Sequence, residues 1–261
     1  MKTRIISGLV MVPFLAVFYF GGYILTAACF FIALMGVYEF FRGFHAMDIK
    51  PSYPVAVVST VGLYAINILK LDTQWYMLWF FLSILLSLLY LFKIEERKLE
   101  DALATITGIF YVVFFSYHVL MVEQTGATAI LIWLIVLSAF GTDIFAYFVG
   151  VTMGKHKLCP KISPKKSIEG SIGGIIGSVV LCSIFGHFFA PEYMMHCVII
   201  GILGGVVSQF GDLTASIFKR KMGIKDYGNL IPGHGGILDR FDSVLFTAPL
   251  VYYYIQLVIN L

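Results

Sequence analysis

Residues 212–242 read DLTASIFKRKMGIKDYGNLIPGHGGILDRFD and combine acidic, basic and glycine-rich positions in one short stretch. The stretch begins inside an apolar helix at Asp212 and reaches a basic cluster, Lys219 to Lys221, where that helix should leave a membrane. It then passes through a polar loop and enters a second apolar segment, which starts with Asp239 and Asp242. The pattern predicts two membrane helices whose connecting loop holds carboxylates and cations together.

The whole chain has the composition of a membrane protein. Of its 261 residues 59% are hydrophobic and 13% are charged, and its mean hydropathy is +0.90. Soluble domains average about 25% charged residues. We therefore predict an all-α integral membrane protein with about nine transmembrane helices, each near the length of about 20 residues that a bilayer requires. The predicted spans are 5–20, 24–41, 55–70, 75–92, 102–121, 129–152, 168–190, 195–218 and 243–261.

The positions of lysine and arginine predict the orientation. With the N-terminus in the cytoplasm, alternating spans place every Lys and Arg except Lys70 on the cytoplasmic side. The C-terminus then lies outside, and the protein is a multi-pass protein of the cell (inner) membrane whose polar loops face the cytoplasm. The net charge of +3 follows from this asymmetry. It does not indicate nucleic-acid binding, and we expect no nucleic-acid partner.

Polar chemistry is unevenly distributed along this single membrane domain. Residues 1–101 are predicted to be an N-terminal transmembrane scaffold, in which Glu39 and Arg42 are expected to form a surface ion pair. Residues 102–261 are predicted to be the catalytic transmembrane region, with cytoplasmic loops at 153–167 and 219–242.

Asp143 is expected to lie deep in the hydrocarbon layer. It precedes Lys155 by a dozen residues in an apolar span that also contains Ser138 and Thr142, and a helix rises 1.5 Å per residue. A carboxylate at that depth is costly unless it is paired or hydrated. Two interpretations remain open: a structural hydrogen bond to a neighbouring helix, or a polar cavity that contributes to substrate binding.

The loop at 153–167 is rich in lysine. Part of this charge is expected simply to set the membrane topology. The segment around Lys165 and Lys166 is more specific, because Ser167 can cap the next helix and helix N-termini bind phosphate. These two lysines are therefore candidate substrate-binding residues.

Four residues at the end of the eighth predicted span and just beyond it form one stripe. Asp212, Ser216, Lys219 and Arg220 lie at i, i+4, i+7 and i+8, so they share a helix face. Asp239 and Asp242 follow the loop at i, i+3. Oxygen ligands of this kind suit Mg²⁺, which usually keeps waters and substrate phosphates in its shell. The alternative is that the aspartates only form interfacial salt bridges.

The longer motif resembles a known family. Ser216-x-Phe218-Lys219-Arg220, then Lys225-Asp226-x-Gly228, then Ile231-Pro232-x-His234-Gly235-Gly236-Ile237-x-Asp239-Arg240-Phe241-Asp242 resembles the signature of phosphatidate cytidylyltransferases, or CDP-diacylglycerol synthases. The segments Asp143-x-x-Ala146-Tyr147-x-x-Gly150 and 163–170 resemble that family as well, so the resemblance extends over about residues 138–242.

The resemblance implies transfer of CMP from CTP to phosphatidic acid, giving CDP-diacylglycerol and pyrophosphate, by a homodimer. On this hypothesis Asp212, Asp239 and Asp242 bind Mg²⁺, with a second cation such as K⁺ near Asp242. Catalysis would rest on these aspartates with Lys219 and Arg220, without a general base. The candidate substrate-binding residues are Asp143, Lys165, Lys166, Ser216, Lys225, His234 and Arg240.

Two other functions were weighed against this one. A CTP-dependent lipid kinase of the polyprenol type would use similar ligands, but it would release CDP instead of pyrophosphate. An ion-coupled transporter would use the membrane aspartates for flux without turning over nucleotide. The sequence lacks the inverted repeat that many transporters contain, which disfavours the transporter.

Overall fold

The fold was analysed in a computed structural model of the chain, in which residues 16–229 and 235–260 are described. These residues form a helical stretch at 16–20, nine further α-helices and one two-stranded hairpin, with short 3₁₀ and π segments at Tyr90–Phe92, Ile109–Phe114, Gly126–Leu131, Pro191–Tyr193 and Ile255–Ile259. The elements are α1 (Gly22–His45), α2 (Tyr53–Ile68), α3 (Thr73–Leu89), α4 (Leu99–Gly108), α5 (Phe115–Glu123), α6 (Ile132–Met153), β1 (Lys157–Cys159), β2 (Ser163–Ser167), α7 (Ile168–Phe189), α8 (Met194–Lys221) and α9 (Leu238–Tyr254).

The prediction of a multi-span helical membrane protein is confirmed. Seven helical stretches in the described part of the chain are long and apolar enough to cross a membrane, and α2 is a shorter apolar helix. Most of the first predicted span, 5–20, lies outside the described residues. The total of nine spans therefore stays a prediction, as does the cytoplasmic N-terminus.

The chain divides into two compact units, and the boundary between them crosses α5, the last residue of α8, and α9. Unit 1 contains the described residues up to Tyr117 together with Lys221–Arg240, and unit 2 contains His118–Arg220 and Phe241–Leu261. This division follows spatial contacts. The functional division into 1–101 and 102–261 stays a prediction.

Unit 1 has an aromatic core around α1. Phe40 and Phe41 are fully buried, and the Phe40 ring lies 5.5 Å from that of Tyr111 in the π segment. The Phe41 ring occupies the space beside Gly108, where a side chain of any size would collide with it. Because π segments widen a helix locally, Ile109–Phe114 presents a broad surface against which α1 packs.

Unit 2 depends on close helix packing through small residues. A Cβ at Gly174 of α7 would lie 2.9 Å from the carbonyl oxygen of Thr142 in α6. A Cβ at Gly201 of α8 would lie 2.9 Å from the Cα of Val179. These glycines therefore bring α6, α7 and α8 close together.

The two predicted cytoplasmic loops are more ordered than expected. Residues 153–167 contain the antiparallel β1–β2 hairpin, which the all-α prediction did not include. The prediction of a loop over 219–242 is wrong at both ends, because α8 continues to Lys221 and α9 begins at Leu238. The additional helical turns contain Lys219, Arg220, Asp239 and Asp242, so these side chains project from regular helix.

Candidate active site

A polar cluster in unit 2 gathers the charged residues of three helices and the hairpin. Its acidic members are Asp143 of α6, Asp212 of α8 and Asp242 of α9, and its basic members include Lys166 of β2 and Lys219 of α8. We call these five residues the carboxylate cluster. The end of α8 lies beside the hairpin that joins α6 to α7, since the Nε of Arg220 donates to the carbonyl oxygen of Ile162 at 3.3 Å.

Asp212 is the best-defined carboxylate of the cluster. Its Oδ2 forms an ion pair with the Nζ of Lys166, and the two side chains are 25% and 28% exposed respectively. Its Oδ1 accepts a long hydrogen bond of 3.5 Å from the hydroxyl of Ser216, one turn further along α8. The predicted stripe lies on one helix, α8, and its Asp212 carboxylate contacts the Ser216 hydroxyl of that helix and the Lys166 ammonium group of the hairpin.

Asp242 is buried among like charges. It is 6% exposed, and it interacts electrostatically with Asp212 and Asp143, which repel it, and with Lys219, which attracts it. The backbone N–H of Ser243 donates to its Oδ1 at 2.8 Å. A buried carboxylate that two other carboxylates repel favours the binding of a cation, because burying unpaired like charges is expensive.

Asp143 is connected to α9 by a hydrogen bond. The hydroxyl of Ser243 donates to its Oδ2 at 3.3 Å. Asp143 is nevertheless an exposed residue. Of the two interpretations left open above, the hydrogen bond to a neighbouring helix is therefore present. The electrostatic contact with Asp242 also places Asp143 at the cluster.

Gly211 allows α8 and α9 to come close enough for the cluster to form. A Cβ at this position would lie 2.7 Å from the carbonyl oxygen of Asp242 and 3.2 Å from the Cα of Ser243. Only glycine permits such an approach between the two backbones. Because Asp212 is the next residue, this contact fixes the position of Asp212 along α8 relative to Asp242 on α9.

The hairpin is fixed to the start of α7 by two side chains. Ser167 is the N-cap, and its hydroxyl accepts the N–H of Gly170 at 3.1 Å, as the sequence predicted. Glu169, in the first turn, accepts the N–H of Lys155 at 3.1 Å and lies 2.6 Å from the Nδ1 of His156. These contacts hold β2 in place and thereby position Lys166, whereas Lys165 is exposed.

Asp239 has a different environment, within unit 1. Its Oδ2 accepts two backbone hydrogen bonds, from Tyr227 at 2.8 Å and from Gly236 at 3.0 Å. It therefore closes the loop between α8 and α9, a role that the sequence did not predict. Its predicted role as a metal ligand stays a prediction.

The remaining predicted residues are in unit 1 or outside the described part of the chain. Lys225 is exposed, and Arg240 is partly buried, with an Nε that has no hydrogen-bond partner among the residues that the structure describes. His234 lies outside the described residues.

The cluster fits a hard divalent cation in its chemistry. Carboxylate oxygens and hydroxyls are the ligands that Mg²⁺ accepts, usually one or two carboxylates completed by water and substrate phosphates. Asp212 and Asp242 would supply the carboxylates, with Ser216 nearby. Within 16–229 and 235–260, no group of three or more His, Cys, Asp and Glu residues could hold a metal ion on its own.

Glu39 is the residue whose environment the sequence analysis misjudged. The predicted surface ion pair with Arg42 is wrong in its location, because Glu39 is only 3% exposed. Its carboxylate accepts the backbone N–H groups of Ile237 and Leu238. The sequence signal for this burial is that Glu39 lies among apolar residues, in the run from Val37 to Phe41.

The fold and the cluster together define an integral membrane protein with a polar site among its helix ends. A family model described as the Cytidylyltransferase family matches residues 2–258, and the chain therefore belongs to that family. Similar curated proteins include the phosphatidate cytidylyltransferase of Bacillus subtilis, which is 33% identical over 98% of both chains. That of Synechocystis is 32% identical over 98% of this chain and 97% of its own. That of Staphylococcus saprophyticus is 34% identical over 96% and 97%.

Proposed function

We propose that the protein transfers CMP from CTP to phosphatidic acid, giving CDP-diacylglycerol and pyrophosphate. Family membership supports the reaction class, and the activity for which relatives that match nearly the full chain are named supports the substrates. The observation that carries the proposal is the carboxylate cluster, in which Asp212 and Asp242 lie beside Lys166 and Lys219. A triphosphate with a divalent cation neutralises both kinds of charge.

Each side chain of the cluster has a proposed role. Lys166, Lys219 and Arg220 bind phosphate oxygens, and the planar guanidinium of Arg220 suits two parallel hydrogen bonds. Asp212 and Asp242 hold Mg²⁺, which, when bound, neutralises charge that develops on the triphosphate. Ser216 orients the Asp212 carboxylate at 3.5 Å. A second cation such as K⁺ is proposed beside Asp242, where Asp143 adds negative charge.

The nucleophile in this proposal is a phosphate oxygen of phosphatidic acid. The second pKa of a phosphomonoester is about 6, so the group is already largely a dianion at neutral pH. No side chain needs to remove a proton, and the reaction then depends on positioning and electrostatic stabilisation. His234 is proposed to shape its loop or to contact the leaving pyrophosphate.

The proposed site faces the cytoplasm, where CTP is available. The lysines of the hairpin and the basic end of α8 support this orientation through the preference of cytoplasmic segments for positive charge. Nine spans, a cytoplasmic N-terminus and an outer C-terminus complete the proposed topology. We also propose a homodimer, which a mass measurement in detergent or in a lipid nanodisc can test.

The reaction is tested by following both products of labelled CTP. Purified protein in detergent is supplied with phosphatidic acid, Mg²⁺ and CTP labelled in its α-phosphate. The proposal predicts label in a lipid product and release of unlabelled pyrophosphate, with both products dependent on phosphatidic acid. Release of CDP with an unlabelled phosphorylated lipid would instead identify a kinase, and ion flux without nucleotide turnover would identify a transporter.

A further inference from the structure

We propose that Glu39 is a positioning residue, which holds the segment between α8 and α9 in the arrangement that the proposed cytidylyl transfer requires. The inference rests on the proposed function for its catalytic readout. Its structural basis lies entirely within unit 1. We call residues 222–238 the anchored segment, of which 222–229 and 235–238 are described.

Both oxygens of the Glu39 carboxylate are used by the anchored segment. Oε1 accepts the N–H of Ile237 at 3.1 Å, and Oε2 accepts the N–H of Leu238 at 2.9 Å. Leu238 is the first residue of α9, so these N–H groups lie at a helix N-terminus, where the first donors have no partner within the helix. Glu39 thus caps α9 from a helix almost 200 positions earlier in the sequence.

Two glycines allow the anchored segment to reach this carboxylate. A Cβ at Gly228 or at Gly236 would overlap the carboxylate oxygens of Glu39. The backbone therefore passes directly over a buried carboxylate on both sides of the undescribed residues 230–234. Such a close approach at two separate positions is a specific fit, since any larger residue would displace the segment or the glutamate.

Further contacts hold the same segment to α1 and to itself. The Nη2 of Arg42 donates to the carbonyl oxygen of Tyr227 at 2.7 Å, and the Tyr227 ring lies 5.9 Å from that of Phe40. Asp239 accepts the N–H groups of Tyr227 and Gly236. The segment is thus fixed at Tyr227 and again at 236–238, which leaves little freedom for the start of α9.

The start of α9 matters because functional side chains follow it immediately. Asp239 and Arg240 lie in its first turn, and Asp242 follows four residues after Leu238 on the same helix. A displacement of about 1 Å in a reacting geometry can cost roughly a hundredfold in rate. Glu39 therefore acts on catalysis through the position of this helix, without contact with substrate.

The decisive variant is Glu39→Gln. Glutamine keeps the size of the side chain, but one oxygen becomes an NH₂ group that faces a backbone N–H, so one of the two hydrogen bonds must be lost. We expect kcat to fall roughly tenfold to a hundredfold with little change in the KM for CTP. The matched control is Thr26→Val in the same helix, since Thr26 is buried and its hydroxyl donates within α1, to the Gly22 carbonyl oxygen.

A second readout separates positioning from general stability. A nitroxide label at Asn229→Cys, which is exposed, reports the local mobility of the anchored segment. The Cys159→Ser background removes the only half-exposed cysteine, because Cys29, Cys182 and Cys197 are buried. The spectra are compared at a temperature well below the melting temperature of every variant. There we expect Glu39→Gln to increase the mobility of the label and Thr26→Val to leave its spectrum unchanged.

Arg42, the exposed residue that bonds to Tyr227, provides an independent variant if Glu39→Gln does not fold. Arg42→Met removes the bond to Tyr227 and should lower kcat and mobilise the label to a smaller extent. An unchanged kcat in folded Glu39→Gln overturns the inference, and so does a lower kcat with an unchanged spectrum. If the wild-type protein makes no CDP-diacylglycerol, the proposed function fails, while the label still decides whether Glu39 holds the segment.

Discussion

The buried carboxylates of unit 1 and the clustered carboxylates of unit 2 have different kinds of interaction partner. In unit 1, Glu39 and Asp239 are buried, and each accepts two backbone N–H groups. In unit 2, Asp212 and Asp242 repel each other, while the Lys166 side chain pairs with Asp212 and that of Lys219 attracts Asp242. The first arrangement stabilises a loop. The second brings like charges together and thereby favours a bound cation.

The difference indicates how structural and functional carboxylates can be distinguished. Backbone N–H groups have fixed positions, so a carboxylate that accepts them contributes to stability and is costly to remove. A carboxylate beside other carboxylates opposes folding until a cation binds. Neutral variants should therefore lower stability in unit 1, and in unit 2 they should lower activity at little cost in stability.

The largest effect on activity is expected for Asp242→Asn. This variant removes a carboxylate that Asp212 and Asp143 repel, so the free energy of unfolding should be unchanged or higher. Turnover of CTP should fall by at least about a hundredfold, because a ligand for the cation is lost. The labelled-CTP assay and thermal unfolding in detergent measure the two effects. A clear loss of stability would contradict the contrast between the units.

Asp239→Ala should have the largest effect on stability. It leaves the N–H groups of Tyr227 and Gly236 without their acceptor, at a cost of about 1–3 kcal/mol for each buried donor. Chemical unfolding in detergent provides the measurement. Asp226→Ala is the matched control, since Asp226 is an exposed aspartate of the same loop, and its effect should stay within about 0.5 kcal/mol. Equal effects at the two positions would count against the loop-closing role.

Gly211→Ala tests whether helix proximity assembles the carboxylate cluster. The added methyl group would meet the Asp242 carbonyl oxygen at 2.7 Å, and such overpacking costs about 1–3 kcal/mol. We expect activity to fall roughly tenfold, because α8 and α9 must separate. Gly62→Ala is the control, since its Cβ would make an ordinary 3.5 Å contact with Trp79. The control should keep full activity and gain about 0.5–1 kcal/mol in stability.

Adjacent lysines of the hairpin offer a smaller, internally controlled comparison. Lys166 pairs with Asp212, whereas Lys165 is exposed. A charge-assisted hydrogen bond contributes about 1.5–3 kcal/mol, so Lys166→Gln should raise the KM for CTP roughly tenfold or more. Lys165→Gln should raise it by a smaller factor that disappears at high salt, because exposed charges are screened. Equal KM values for the two variants would remove Lys166 from the binding site.

The smallest effect is expected at the surface of unit 1. The ammonium group of Lys98, 2.8 Å from Asp48 Oδ2, lowers the pKa of Asp48 below its ordinary value of 3.8. The stabilisation is therefore present above the unfolded pKa and is lost as pH falls through the folded pKa. Asp48→Asn, which tolerates the local φ of +54°, should be slightly less stable than wild type at pH 7 and equal to it in strong acid. Unfolding curves at several pH values measure this difference.

The sequence predicted the local elements of the fold well. Seven of the predicted apolar spans, the stripe from Asp212 to Arg220 and the cap at Ser167 follow from periodicity or capping rules, and the structure confirms them. The β1–β2 hairpin was missed because Lys157–Ser167 lacks the alternating apolar pattern of a half-buried strand.

Long-range contacts could not be predicted from these patterns. The partners of Glu39 are backbone N–H groups almost 200 positions away, and every non-proline residue carries one, so no sequence pattern marks them. The pairing of Lys166 with Asp212 likewise depends on how the hairpin folds onto α8. Charge spacing predicted candidate site residues, while tertiary packing determines which of them meet.

The central claim is that the carboxylates of unit 2 bind a divalent cation. Titration of the protein with Mn²⁺, followed by electron paramagnetic resonance, measures this directly in the wild type and in Asp242→Asn. The account predicts saturable binding in the wild type that Mg²⁺ displaces, and a loss of that binding in the variant. Equal Mn²⁺ affinity in both proteins would contradict it.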